Sequence, residues 1–467
     1  MKEKTGSTAP IRDARTLGIP KMLILGLQHM FAMFGATVLV PILVNSYGLP
    51  LSIQTTLFFA GVGTLFFHVC TRMKVPAFLG SSFAFLGGFA AVAGLDTGIY
   101  AGMEPAEKLQ YACGGIVVAG LLYVVLALII KAVGVHKVMH YLPPVVTGPI
   151  IILIGLNLAP SAVNNASTCW WLALVAMAII IAANIWGRGM IKIIPILLGV
   201  AGSYLVALLA GKVDFSALDF QGLTGGLTPI LGLQPFLTDF GGSIARFDIS
   251  SILVMAPIAL ASMMEHIGDM SAISSTVGRN YIKDPGLHRT LCGDGLATII
   301  ASLFGAPANT TYGENTGVLS LTKVYDPRVI RIAAGFAILF SFSPKVAAVI
   351  SVMPTATLGG VSLVLYGMIS AVGVRNVVEN QVDFSKSRNV IIAALILVLS
   401  IGINFSNNGA VVFQMGDIAI RLSGLAVGAL TGILLNAVLP GKDYTFDEEA
   451  PSDTCVDMSG TRKTTKR

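Results

Sequence analysis

The sequence predicts an all-α polytopic membrane protein with fourteen transmembrane segments, arranged as two inverted repeats of seven. Three observations lead there. The chain is too apolar for one soluble core, its loop charges differ between the two sides of the segments, and short stretches recur half a chain apart. Of 467 residues, 54% are hydrophobic and 12% charged, where a soluble domain carries about 25% charged residues. That much apolar surface would leave large exposed patches in water, whereas a bilayer absorbs it at about 20 residues per spanning helix. The 51 glycines suit helices packed closely in lipid. The net charge of +6 is spread over loops rather than gathered on a soluble face, so no nucleic-acid partner is expected.

Apolar runs place the segments near 22–44, 51–69, 78–95, 111–130, 143–163, 170–186, 190–210, 249–270, 287–304, 308–323, 329–350, 355–372, 389–405 and 417–439. Residues 1–21 are polar and basic, and the apolar run after them is too long for a signal-peptide core. If that segment is cytoplasmic, the inward loops carry Arg72, Lys74, Lys131, Lys137, Arg188, Arg279, Lys283, Arg289, Lys323, Arg328, Arg375, Lys386 and Arg388. The outward loops carry only Lys108, Lys212, Arg246 and Lys345. This is the positive-inside asymmetry, which a miscounted segment would scramble. Both termini are therefore expected in the cytoplasm of a cell with the chain in its plasma or inner membrane. The loop 211–248 then faces outward, and the polar tail 440–467 reads as disordered.

The repeat shows in two places. Gln28-His29, with Met33 after it, recurs as Glu265-His266 with Met270, 237 residues on. Pro76-Ala77 before Gly80-Ser81-Ser82-Phe83 recurs as Pro307-Ala308 before Thr311-Tyr312-Gly313-Glu314, 231 residues on. The halves are then 22–210 and 249–439, and an odd number of segments in each inverts one relative to the other. The third and tenth segments both open with proline and small or β-prone residues, PAFLGSSF and PANTTYGE, before an apolar helix follows. Broken segments at matching positions point to a midplane binding site. Extended backbone at that depth needs partners that lipid does not offer, so the two pieces are expected to pair with each other.

Four carboxylates fall inside the segments: Glu265, Asp269, Asp294 and Glu314. At roughly 2.5–3.5 kcal/mol for each acid at a helix centre, they must line a cavity, meet donors or carry protons. Glu265 and Asp269 are four apart and share one helical face. The group Glu265, His266 and Asp269 lacks a further nearby His or Cys, so no metal site and no cofactor are expected. The five cysteines form no C-x-x-C pair and read as apolar fillers.

The stretches QHMFAMFGATVLVP, PAFLGSSFAF, EHIGD and above all NTTYGENTGV resemble the signatures of the nucleobase–ascorbate transporter family, and its bacterial uracil permeases most closely. The resemblance runs from Gln28 through the thirteenth segment. It implies short antiparallel strands in segments 3 and 10, a core domain of segments 1–4 and 8–11, and a gate domain of 5–7 and 12–14. It also implies proton-coupled uracil uptake by alternating access, and a homodimer. Carried over, Glu265 and Glu314 would accept from ring N–H groups, and backbone around Phe83 and Gly313 would donate to ring carbonyls. Phe83 and Tyr312 would lie against the ring, with Ser82 and Tyr366 close by. Proton coupling would fall to Glu265, Asp269 or Asp294. One departure stands out. The best-known uracil permeases carry His where this chain has Asp269, as many purine carriers do, yet Glu314 keeps the uracil pattern where purine carriers have Gln. Xanthine or urate symport is thus the alternative within the family.

Other classes fit less well. A channel needs a continuous polar ring, and an anion carrier favours a basic or neutral site. An intramembrane enzyme would need a nucleophile with its base or an H-E-x-x-H pair, and neither is present, so no catalytic residue is expected.

Overall fold

Gly18, at φ 79°, and Pro20 in the first turn set the start of α1 (Ile19–Ser46), since the first N–H groups of a helix have no internal acceptor to lose. The computed structural model describes residues 10–213, 244–343, 353–406, 409–415, 418–442 and 444. The expected outward loop lies mostly outside those residues, as do residues 344–350 of the eleventh segment and the tail beyond 444. Ser52 caps α2 (Ile53–Cys70), its side chain accepting from Thr55 N at 3.2 Å. The first half continues with β1 (Leu79–Ser81), α3 (Leu86–Ala93), α4 (Pro105–Val133), α5 (Val135–Tyr141), α6 (Pro144–Ser167), α7 (Trp170–Ile185), α8 (Met190–Ile193) and α9 (Pro195–Leu209). In the second half, α10 (Ile249–Met255) runs through a short turn into α11 (Ala259–Val277). Next come α12 (Leu287–Leu303), β2 (Asn309–Thr311), α13 (Gly313–Thr322), α14 (Pro327–Ser341), α15 (Thr355–Glu379) and α16 (Ser387–Asn404). A hairpin of β3 (Ala410–Met415) and β4 (Ile418–Ser423) leads into α17 (Gly424–Val438). Among the described residues, seven helical stretches are long and apolar enough to cross a bilayer, and α7, α9 and α17 are shorter apolar helices.

Several boundaries differ from the apolar runs. α4 starts six residues before the expected 111, and α11 and α15 each run seven past the expected 270 and 372. These extensions carry more polar residues than the runs before them, for example Ser271–Val277 and Gly373–Glu379, and so escape a hydropathy reading even where, as at Ile273, Ser274 and Val277, they are buried in the protein. The run 190–210 breaks at Ile194, because Pro195 lacks an N–H and pushes the residue before it out of helical geometry. The run 417–439 begins as a strand, paired from Ala410↔Ser423 to Met415↔Ile418.

Two packing groups stand out. α4 lies against α12, α2 and α1 against α14, and α10 against α4. Separately, α6 packs along α15 and α16, α7 on α9, and α16 on α17. The α4–α12 crossing is close because it is glycine on glycine. A Cβ on Gly295 would sit 2.8 Å from Gly120 O, and one on Gly120 would sit 2.9 Å from Gly295 O.

The N-terminal segment is built into the protein. Ile11 bridges in parallel to Val324, Arg12 donates to Val277 O at 2.9 Å, and Ala14 N donates to Asp326 Oδ2 at 2.7 Å. This strap joins the ends of α11 and α13 to the start of α14. Asp326 is buried and also caps α14 by accepting from Arg328 N at 2.9 Å. Asp326→Ala should therefore cost about 2 kcal/mol, one helix cap plus one buried hydrogen bond, and lower the unfolding temperature in detergent. Asp13→Asn, which removes exposed ion pairs to Arg15 and Arg328, should change it far less. Equal shifts in the two variants would overturn this account of the strap.

Candidate functional site

The two broken segments meet. β1 and β2 pair antiparallel with Leu79 opposite Thr311, Gly80 opposite Thr310 and Ser81 opposite Asn309, all six buried. Flanking bonds extend the ladder, from Ser82 N to Ala308 O at 2.8 Å and from Tyr312 N to Phe78 O at 3.0 Å. The outer edge of each strand still needs partners, and a threonine on a neighbouring helix supplies them. Thr64 on α2 accepts from Leu79 N at 2.9 Å and donates to Leu79 O at 3.2 Å. Thr298 on α12 accepts from Asn309 N and donates to Asn309 O, both at 3.1 Å. Gly80 is obligatory here, because the Tyr312 ring comes within 2.3 Å of where its Cβ would stand.

Beside this pair lies a cavity of about 210 Å³. Phe83, Thr310, Thr311, Tyr312, Gly313 and Glu314 form one side with Glu265 and Asp269 of α11. Ile151 of α6 and Met368, Ile369 and Val372 of α15 face them from the other packing group. No basic side chain lines this cavity among the described residues. α13 starts at Gly313 without a side-chain cap, so its first N–H groups and the positive end of its dipole lie at the cavity wall. Thr311 Oγ1 donates to Asp269 Oδ2 at 2.7 Å and ties β2 to α11. Glu265 Oε2 is buried and has no hydrogen-bond partner among the described residues. A buried carboxylate oxygen in that state calls for a donor, from a ligand or a water, or for a proton of its own. The cavity opens into a vestibule of about 600 Å³, whose wall includes Asn184, Lys192, Ser275, Arg375, Asn376 and Asn380.

The structure brings Glu265, Asp269, Glu314, Phe83, Tyr312 and Gly313 to one cavity. Tyr312 lends only its ring, since its hydroxyl donates to Ser81 O at 2.9 Å and accepts from Thr37 Oγ1 at 3.3 Å. Ser82 is buried beneath the cavity and is not part of its lining. Tyr366 stands behind Phe83, edge to face at 5.9 Å between ring centres. Asp294 is fully buried away from the cavity, with His266 Nδ1 2.9 Å from its Oδ2. Thr310, Thr311, Ile151, Met368, Ile369 and Val372 join the wall without having been singled out in the sequence. Of these only the threonines carried a signal, as the residues just before Tyr312 in the broken segment. Among the described residues, no three or more His, Cys, Asp or Glu gather as a metal site would require.

Comparison with known proteins agrees on the whole length. A family model described as "Permease family" (Xan_ur_permease) matches residues 20–409. The chain is 42% identical over 455 residues to the uracil permease of Bacillus caldolyticus, covering 95% of this chain and 98% of that one. It is 40% identical over 428 residues to the uracil permease of Bacillus subtilis strain 168, covering 89% and 91%. Its fold is similar to that of the transmembrane domain of the cyanobacterial bicarbonate transporter BicA. There the TM-score is 0.53 at 14% identity, with 92% of this chain and 99% of that one covered.

Proposed function

The chain belongs to this permease family of multi-pass membrane transporters, and from that premise we propose that it carries uracil together with a proton by alternating access. The observation that carries the reading is the buried Glu265 Oε2, without a partner among the described residues, in a small cavity that also holds Glu314 and, among those residues, no basic side chain. Such a site rejects anions and calls for a neutral planar ring that offers N–H donors. Uracil has two N–H groups for the carboxylates and two carbonyls for the N–H groups at the start of α13. Phe83 closes on the ring. The names of the similar permeases support the same substrate.

The frame for this transport is fourteen segments in two inverted halves, with both termini in the cytoplasm. The matched roles of Thr64 and Thr298, one per half and 234 residues apart, support the repeat. The group containing α1–α4 and α10–α14 is the core that carries the substrate site, and the group around α6 and α15 is the gate. The vestibule then faces the cytoplasm, and Asp269, at the junction of cavity and vestibule, is the group that takes up the coupled proton.

Calorimetric titration with uracil, xanthine and urate tests the substrate, on the wild type and on Glu314→Gln. A carboxylate presents only acceptors, whereas an amide presents one acceptor and one donor and can match the mixed edge of a purine. Glu314→Gln should lower uracil affinity about tenfold or more, near 1.4 kcal/mol, with xanthine binding level or improved. A wild type that prefers xanthine would replace uracil with a purine in this reading. Unchanged affinities in the mutant would take Glu314 out of the site.

A further inference from the structure

Lys192 belongs to two openings at once: the vestibule, and a separate crevice of about 410 Å³ beside it. The crevice lies between α1, the end of α13 and the short helix α8, with Leu25, Gln28, Met190, Lys192 and Leu321 in its wall. Its chemistry is divided. Leu25, Met190 and Leu321 supply apolar wall, and Lys192 supplies a charge that takes part in none of the ion pairs among the described residues. Gln28 Oε1 is a buried acceptor without a hydrogen-bond partner among the described residues. Just outside, Ile185, Trp186 and Ile191 are 64%, 73% and 52% exposed, with Arg188 exposed among them. Tryptophan and isoleucine beside arginine and lysine mark chain that sits at headgroup level.

A soluble anion would use the lysine and gain nothing from three apolar walls. A phospholipid uses all of it. We propose that this crevice holds an anionic phospholipid whose headgroup carries a hydroxyl, as phosphatidylglycerol does. Its phosphate meets Lys192, its headgroup hydroxyl donates to Gln28 Oε1, and the first methylenes of its chains lie on Leu25, Met190 and Leu321. A choline headgroup has no donor for Gln28, and an ethanolamine headgroup would set its own cation against Lys192. Because Lys192 also lines the vestibule, the bound lipid draws that charge out of the path leading from the substrate cavity.

The test uses the full-length protein in detergent without any nucleobase, so it stands apart from the substrate reading. Native mass spectrometry would measure retained phosphatidylglycerol against phosphatidylcholine of the same chain length, and thermal melts would compare each lipid with soluble glycerol 3-phosphate. The wild type should favour phosphatidylglycerol about fivefold or more, the worth of one lysine near an anionic headgroup. Lys192→Gln, a change at an exposed side chain, should abolish that preference, and Gln28→Met should reduce it. Equal preference in Lys192→Gln and wild type would overturn the site. Stabilisation by glycerol 3-phosphate equal to that by the lipid would overturn the lipid as its occupant.

Discussion

Glu265→Gln is expected to weaken uracil binding about 30-fold or more, from the loss of a charge-assisted hydrogen bond worth roughly 2–4 kcal/mol. The substitution is close to isosteric, so the packing of α11 is kept. What changes is the group aimed at the ligand. In the wild type, Glu265 Oε2 is a buried acceptor with no partner among the described residues, and on the proposed reading a ring N–H would complete it. In the mutant an amide N–H₂ can take that place, and two donors then face each other with neither satisfied. The loss is larger than for a surface hydrogen bond because the ring donor and the amide are both left unsatisfied inside the protein. Calorimetry at fixed pH gives the answer directly. Affinity within about threefold of wild type, under 0.7 kcal/mol, would remove Glu265 from the recognition of substrate.

Asp269→Asn is expected to act on coupling instead. Thr311 Oγ1 donates to Asp269 Oδ2 at 2.7 Å, and an asparagine carbonyl can accept the same bond, so the tie between β2 and α11 survives. The side chain can no longer take up and release a proton. Three carboxylates, Glu265, Asp269 and Glu314, line one small cavity and repel one another when charged, and a proton on one lessens that repulsion. A carrier that needs this relief to turn over loaded gains the proton gradient as its driving force. Binding should thus remain within a few-fold of wild type, while proteoliposomes under an inward proton gradient should stop concentrating uracil. Counterflow exchange, which needs no net drive, should persist. Continued accumulation by the mutant would move the proton to another acid. Asp294 would be the next to test, linked to Glu265's neighbour His266 by a 2.9 Å contact.

What could be read in the sequence follows from what is rare in it. Acids stand out in apolar segments, so Glu265, Asp269, Asp294 and Glu314 were visible. Proline followed by small and β-prone residues interrupts a helical run, so 78–95 and 308–323 could be recognised as broken. The opposite wall was hidden because Ile151, Met368, Ile369 and Val372 are apolar residues among apolar residues, and only the packing of α6 against α15 selects them. Thr311 reaches Asp269 through the register of β2 against β1, and no local pattern encodes that register. The strap at Ile11 was hidden for the same reason, since its partner Val324 is far away in sequence. The strand pair was lost because β4, Ile418–Ser423, runs straight into the apolar helix α17 and reads as its start, while β3 fell in the gap between two apolar runs.

The pairing of β1 with β2 also governs how the protein can be made. A ribosome delivers residues 79–81 to the membrane long before residues 309–311 exist. During that interval the extended backbone of Leu79, Gly80 and Ser81 has Thr64 beside it and no strand to complete the ladder. Backbone left in that state is costly in lipid, so the early half must wait next to the insertion machinery or in contact with water. The floor of the candidate cavity is therefore closed only when the later half arrives, since its lining draws on both halves. The docking of the two centres is then the step that gives this extended backbone its partners.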